Sequence, residues 1–215
     1  MLIKKTFKFR LDPSLAQREL FTHFAGACRY IFNRGLNQRK EAFEKEQKAP
    51  SLFDQNKELA FLKKQEETIW LKTIHSQILQ QSLRDLDLAF SHFFRKVKAK
   101  LTPGYPRFKC KGEHDSFRYP QGVKVLEDRV YLPKIGQVKF FKSQEILGKL
   151  KQTTVIREGN HGFVCFSCEW EEAVEPVSQS SSNIVGIDVG LKTFAVIYDG
   201  EKSKEIKSQK YLAKS

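Results

Sequence analysis

The chain has 215 residues, with 38 Lys+Arg against 25 Asp+Glu, for a formal net charge of +13. Its apolar fraction of 40% supports a buried core and is too high for a disordered tail, while no apolar run approaches the ~20 residues of a membrane span. The opening MLIKKTFKFRL mixes lysines among its apolar residues and has no signal-peptide core, and four cysteines are too few for a disulfide scaffold. A cytoplasmic protein without a membrane partner is expected. The charge excess calls for an anionic partner, and 18 Phe against 6 Tyr and 2 Trp favour core packing and base stacking over phenolic chemistry.

In chain order, residues 3–11 alternate over Phe7, Phe9 and Leu11, which predicts a half-buried strand with Lys4, Lys8 and Arg10 on its outer face. Asp12-Pro13 reads as a helix N-cap followed by Pro at the first helical position. Leu15, Phe21, Phe24, Cys28, Ile31 (or Phe32) and Leu36 recur at helical spacing and carry a helix to about residue 47, where Ala49-Pro50-Ser51 breaks it. Further helical stretches follow at about 54–68 and 75–98. In the last, Leu79, Leu83, Leu86, Phe90, Phe93 and Val97 form a heptad-like stripe. Beyond Thr102-Pro103-Gly104 come short β-like runs at 116–119, 123–126, 129–132, 135–141, 153–158 and 163–170. Gly159–Gly162 joins the last two as a hairpin, and 144–150 reads as a short helix. The first strand has no early partner, so the economical arrangement pairs it with these later strands and inserts the helices between. The expected fold is α+β: a small wedge β-barrel (1–11 and 102–176) interrupted by a helical bundle (12–101). A Ser-rich linker at 177–183 leads to a further unit from 184 that begins with two strands around a tight Gly-containing turn.

Ser91 to Lys111 holds seven basic residues and no acid: Arg95, Lys96, Lys98, Lys100, Arg107, Lys109 and Lys111, interleaved with Phe93, Phe94, Tyr105 and Phe108. Cations neutralise phosphates and flat rings offer stacking faces. The competing reading is a solvated helix face, with Phe93 in the core. Arg29 and Asn33, four apart on the first helix, read on their own as a surface hydrogen-bonded pair. Cys165-x-x-Cys168 has half the ligands of a zinc site, lacks a second pair and falls on opposite faces of a strand, so packed cysteines and no zinc are expected. In Gly186-Ile187-Asp188-Val189-Gly190, Asp188 is the one charge in an apolar strand. Either it caps a β-turn or it serves a cation.

The opening KKTFKFRLDPS, the segment ACRYIFNRGL, SQILQQSLRDLDLAFSHFFRKVK, GYPRFKCK, DSFRYPQ and NIVGIDVGLKTFAV resemble, in order and spacing, the N-terminal part of the OrfB/TnpB family, transposon-encoded prokaryotic relatives of type V CRISPR effectors. The resemblance implies a wedge barrel interrupted by a helical recognition domain, then the start (184–215) of a RuvC-like nuclease of RNase H fold. It implies guide RNA and target DNA as partners, with Asp188 as the first catalytic carboxylate and one ligand of a Mg²⁺ site. The expected nucleic-acid contacts are Lys4, Lys8, Arg10, Arg29, Asn33, Arg95, Lys96, Lys98, Lys100, Tyr105, Arg107, Lys109, Lys111 and Arg118. The family's second-motif Glu, zinc module and final Asp have no counterpart here, since only Asp199, Glu201 and Glu205 follow Asp188. The expectation is a truncated RNA-guided endonuclease that keeps nucleic-acid binding without a complete nuclease site. One alternative is a non-catalytic RNA/DNA-binding regulator. The other is a sugar-kinase or actin-like ATPase, disfavoured because Leu191-Lys192 stands where small hydroxyl residues approach phosphate.

Overall fold

A computed structural model of the chain describes residues 1–113, 115–172 and 185–208; the expected linker at 177–183 lies outside them. Strand β1 (Leu2–Asp12) follows from its alternation, with Phe7, Phe9 and Leu11 buried and Lys4, Thr6, Lys8 and Arg10 on the outer side. The strand runs on to Asp12, which faces Lys139. Asp12 is therefore strand and not the helix cap, a correction to the Asp12-Pro13 reading. The cap is Ser14: its hydroxyl accepts from the Gln17 N–H at 3.3 Å, and the Gln17 side chain accepts from the Ser14 N–H at 3.0 Å. Helix α1 (Leu15–Glu44) is continuous for 30 residues. Phe24, Cys28, Ile31, Phe32 and Leu36 are buried along it, whereas Leu15 is exposed. Burial pushes the Cys28 thiol up to about 11.

Ser51 caps α2 (Leu52–Leu62) through a second capping box with Asp54. The stretch expected to continue this helix is instead a 3-10 helix, Glu66–Thr73, which leads Leu71 and Ile74 into the core. Helix α3 (Ser76–Lys98) buries Leu79, Leu83, Leu86 and Phe90. Its stripe then leaves the bundle: Phe93 is half-buried and Val97 is exposed.

Six further strands complete the sheet: β2 (Ser116–Tyr119), β3 (Lys124–Val125), β4 (Arg129–Leu132), β5 (Gly136–Phe140), β6 (Lys149–Glu158) and β7 (His161–Glu171). All pair antiparallel, in the order β2-β6-β7-β1-β5-β4-β3. The first strand thus lies mid-sheet between β7 and β5, and the helices are the insertion between β1 and β2. The ends of the sheet are β2 and β3, and among the described residues no ladder joins them. One core runs through sheet and helices. The Phe21 and Phe24 rings of α1 stand 5.8 and 5.3 Å from Phe117, and Phe9 packs 5.3 Å from Phe140 and 5.8 Å from Phe166.

Residues 144–150 are not a helix, because β6 begins at Lys149. Gly148 holds φ +80°, and a Cβ there would lie 2.7 Å from the Glu169 carbonyl oxygen and 2.9 Å from the Trp170 ring. Gly148→Ala combines left-handed strain with a clash against backbone. It is expected to cost about 2 kcal/mol or more, read as a lower urea midpoint.

Met1–Glu172 forms one unit and Ala173–Ser215 a second. The second contains an antiparallel meander of β8 (Gly186–Val189), β9 (Thr193–Tyr198) and β10 (Ser203–Lys207). The chain is thus a mixed helix-and-sheet protein. No helix among the described residues is long and apolar enough to cross a membrane.

Candidate nucleic-acid interface

The last two turns of α3 carry Arg95, Lys96 and Lys98, followed by Lys100, Arg107 and Lys111. All six are exposed, and among the described residues none has an ion-pair partner. The three on the helix face its negative end, an interaction worth about 0.3–1 kcal/mol each without any ligand. That structural role does not extend to Lys100, Arg107 and Lys111, which lie beyond the helix. Rings accompany the cations: Phe94, Tyr105 and Phe108 are exposed, and Tyr105 meets Phe90 and Phe93 edge-on at 5.7 and 5.4 Å. Phe93 is therefore a boundary residue rather than core.

The segment after α3 has no regular structure of its own from 102 to 110. Asn33 holds it to α1: its side-chain NH₂ donates to the Lys109 carbonyl at 3.0 Å and its Oδ1 accepts from the Lys109 N–H at 2.8 Å. Lys109 is drawn in as well, with its ammonium 4.3 Å from the centre of the Phe32 ring. Arg29 donates to Asp115 at 2.9 Å, and Arg157 reaches the other carboxylate oxygen at 2.8 Å. Arg29 and Asn33 therefore do not pair with each other; each ties α1 to a segment far along the chain. Arg118 is ion-paired to Asp85 of α3.

The outer face of β1 is similarly divided. Lys4 pairs with Glu169, which also receives Lys151, both at 3.2 Å. These two ammonium groups hold the Glu169 carboxyl below the usual range. Lys8 reaches both oxygens of Glu158 at 2.7 Å. Arg10 alone of the three has no acidic partner among the described residues. The candidate contacts thus separate into side chains committed within the fold (Lys4, Lys8, Arg29, Asn33, Lys109, Arg118) and side chains that present charge or ring to solvent (Arg10, Arg95, Lys96, Lys98, Lys100, Tyr105, Arg107, Lys111). Local spacing carried no sign of Arg157, or of Asp115 joining two arginines, because these partners are distant in sequence.

In the second unit Asp188 is exposed on β8. It faces Val196, which in turn faces Glu205. Directly paired residues share a face of the sheet, so Asp188 and Glu205 lie on one face with a strand between them, roughly 10 Å apart along the hydrogen-bonding direction. Asp199 is used in the β9–β10 turn, where its Oδ1 accepts from the Lys202 N–H at 2.7 Å and the Glu201 N–H at 3.0 Å; these bonds lower its pKa. Among the described residues no group of three or more His, Cys, Asp or Glu could hold a metal ion. Asp188 is one oxygen donor, and the described residues do not by themselves make a Mg²⁺ site. Cys165 and Cys168 lie on opposite sides of β7, half-buried and buried.

The helix-turn-helix domain family HTH_OrfB_IS605 matches residues 1–48. In this chain those residues hold β1 and one unbroken helix. The candidate RNA-guided DNA endonuclease InsQ of Escherichia coli (strain K12) is 38% identical over 216 residues, covering 98% of this chain and 52% of its own length. A candidate RNA-guided DNA endonuclease of Streptomyces pristinaespiralis is 29% identical over 213 residues, covering 93% of this chain and 49% of that protein. A chain in a cryo-EM structure of a Cas12f1–sgRNA–target DNA complex aligns over 98% of this chain and 58% of its own, at 15% identity and a TM-score of 0.36, too distant to bear on the fold. The chain spans about half the length of the curated relatives it matches. Nearly every residue falls inside those alignments, and with an OrfB-type match at its start the chain is similar, along its whole length, to part of the OrfB/TnpB-like proteins.

Proposed function

We propose that this chain is the nucleic-acid-gripping portion of an OrfB/TnpB-type RNA-guided DNA endonuclease, with guide RNA and target DNA as its partners. The observation that carries the reading is the exposed, unpaired cationic run from Arg95 to Lys111, interleaved with Phe94, Tyr105 and Phe108 and fastened to α1 by Asn33. Such a surface neutralises phosphates without reading sequence, which suits a protein whose specificity is delegated to base pairing. In this reading the sheet is the wedge, drawn from 1–11 and 102–176, and α1–α3 are the recognition helices. The strands from 184 onward open a RuvC-like nuclease. Asp188 is one carboxylate ligand of a Mg²⁺ site, and its companions come from outside the described residues.

The test uses the 215-residue chain and a version extended to the length of its relatives, each with cognate RNA, target DNA and Mg²⁺. The short chain binds RNA and leaves DNA intact. The extended protein cleaves, and Asp188→Ala removes cleavage while RNA affinity stays. Cleavage by the short chain that is lost on Asp188→Ala would show that Glu205 or a second copy completes the site. A second reading is a non-catalytic binding protein that keeps the exposed cations and rings of 95–111. An extended protein that binds RNA and target yet never cleaves supports that one.

A further inference from the structure

A cavity of about 460 Å³ opens between the end of β1, the first turns of α1 and the β6–β7 hairpin. Its floor is apolar, built from buried Leu11, Phe117 and Val155 and from the partly buried Phe21. Its rim is cationic. Arg10, Arg18 and Arg157 face two acids there, Asp12 and Asp115. Asp115 is already shared by Arg29 and Arg157. The Arg10 guanidinium lies 6.0 Å from the centre of the exposed Phe141 ring, and the Arg18 Nε donates to the Pro13 carbonyl at 3.3 Å. Neither is ion-paired among the described residues.

Gly162 adds an independent observation. Its φ is outside the left-handed region. A Cβ there would meet Leu11 at 3.8 Å and Phe21 at 3.9 Å, ordinary contact distances. Neither backbone conformation nor crowding therefore requires glycine in this strand. Both neighbours of that absent Cβ line the cavity, so a side chain at 162 would fill its floor. A bare strand position of this kind leaves room for a ligand to approach the backbone closely.

A flat apolar floor edged by guanidinium groups matches a nucleobase and its phosphate. The base presents an apolar face, and the planar arginine fork pairs with phosphate oxygens. The volume lies within the range of about 300–1,000 Å³ typical of small-molecule sites. We infer that this cavity receives one unpaired nucleotide of a bound nucleic-acid strand, with the base on Leu11, Phe21 and Gly162 and the phosphate at Arg10 and Arg18. The inference rests on the nucleic-acid reading above. A strand is the source, rather than a free nucleotide, because the chain's charge of +13 extends well past one phosphate, and each further phosphate neutralised adds affinity.

The test measures anisotropy with two RNA hairpins of the same stem, one fully paired and one with a single bulged nucleotide, and adds AMP and UMP as competitors. The wild-type chain binds the bulged hairpin about tenfold more tightly, within the range that one stacked base contributes. Gly162→Leu and, separately, Thr22→Leu fill the cavity and reduce the bulged hairpin to the affinity of the paired one, with paired-hairpin affinity and melting temperature unchanged. Thr22 is a safe second position, being exposed on α1 with its hydroxyl bonded only to the Arg18 carbonyl. Equal wild-type affinity for the two hairpins, or a bulge preference that survives both fillings, overturns the inference and leaves the proposed function standing. Competition by micromolar AMP or UMP overturns the strand-borne assignment. Failure to bind either hairpin overturns both readings.

Discussion

Reversing Arg95, Lys96, Lys98 and Lys100 to Glu is expected to abolish RNA binding. The segment from 91 to 111 then carries three cations against four acids in place of seven cations. For the unaltered chain, six free cations meeting six phosphates predict log K falling against log[salt] with a slope of about −4 on a single strand. The reversed chain has no steep slope left to measure. The comparison is Lys4→Gln with Lys8→Gln. Their ammonium groups are already satisfied by Glu169 and Glu158, so binding falls much less. If neutralising those two costs as much as the fourfold reversal, the interface lies on the sheet rather than on α3 and the segment after it. Unchanged affinity after the reversal removes the nucleic-acid assignment of this surface altogether.

The second large effect is on stability. Leu86 is fully buried and packs with Phe32, Leu36 and Phe90. Its Cδ2 occupies space that Gly35 leaves open, since a Cβ on Gly35 would stand 2.9 Å from it. Leu86→Ala removes that filling at the crossing of α1 and α3, where rigid neighbours collapse poorly. The expected cost is about 2–5 kcal/mol in urea denaturation. Val97→Ala, on the same stripe but 48% exposed, shifts stability by no more than about 0.5 kcal/mol. Equal effects at the two positions would mean that the seam continues to the end of α3.

The elements whose side chains repeat at a fixed period were legible in the sequence. β1 announced itself by alternation, α3 by its stripe, and β2 and β4 by short apolar alternation between turn residues. The failures have local causes. Asp12-Pro13 satisfies the rule for a helix start, yet the strand keeps its ladder through Asp12 and the cap moves to Ser14. EETIWLKT has no clear period and became a 3-10 helix whose value lies in burying Leu71 and Ile74. The candidate site was legible as composition, a run of cations and rings, but its division was not. Whether a lysine is free depends on a carboxylate elsewhere in the chain, such as Asp115 for Arg29 or Asp85 for Arg118. Local spacing cannot supply that. The apolar cavity beside Arg10 is hidden for the same reason, being assembled from β1, α1 and a hairpin near residue 160.

The mid-sheet position of β1 has a consequence for synthesis. The first strand to leave the ribosome needs both its neighbours, and Phe9 pairs with Val164 while Leu11 pairs with Phe140. At about 5–20 residues per second, those partners arrive roughly six to thirty seconds later. During that wait α1 to α3 can coil locally, but Phe7 and Phe9 have no ladder to enter and both edges of the strand stay open to other chains. Nascent chains that stall before residue 140 therefore expose an apolar strand with nothing to pair it. Yield on expression should depend on how quickly translation passes from the helices to β7, with the insertion setting the length of the delay.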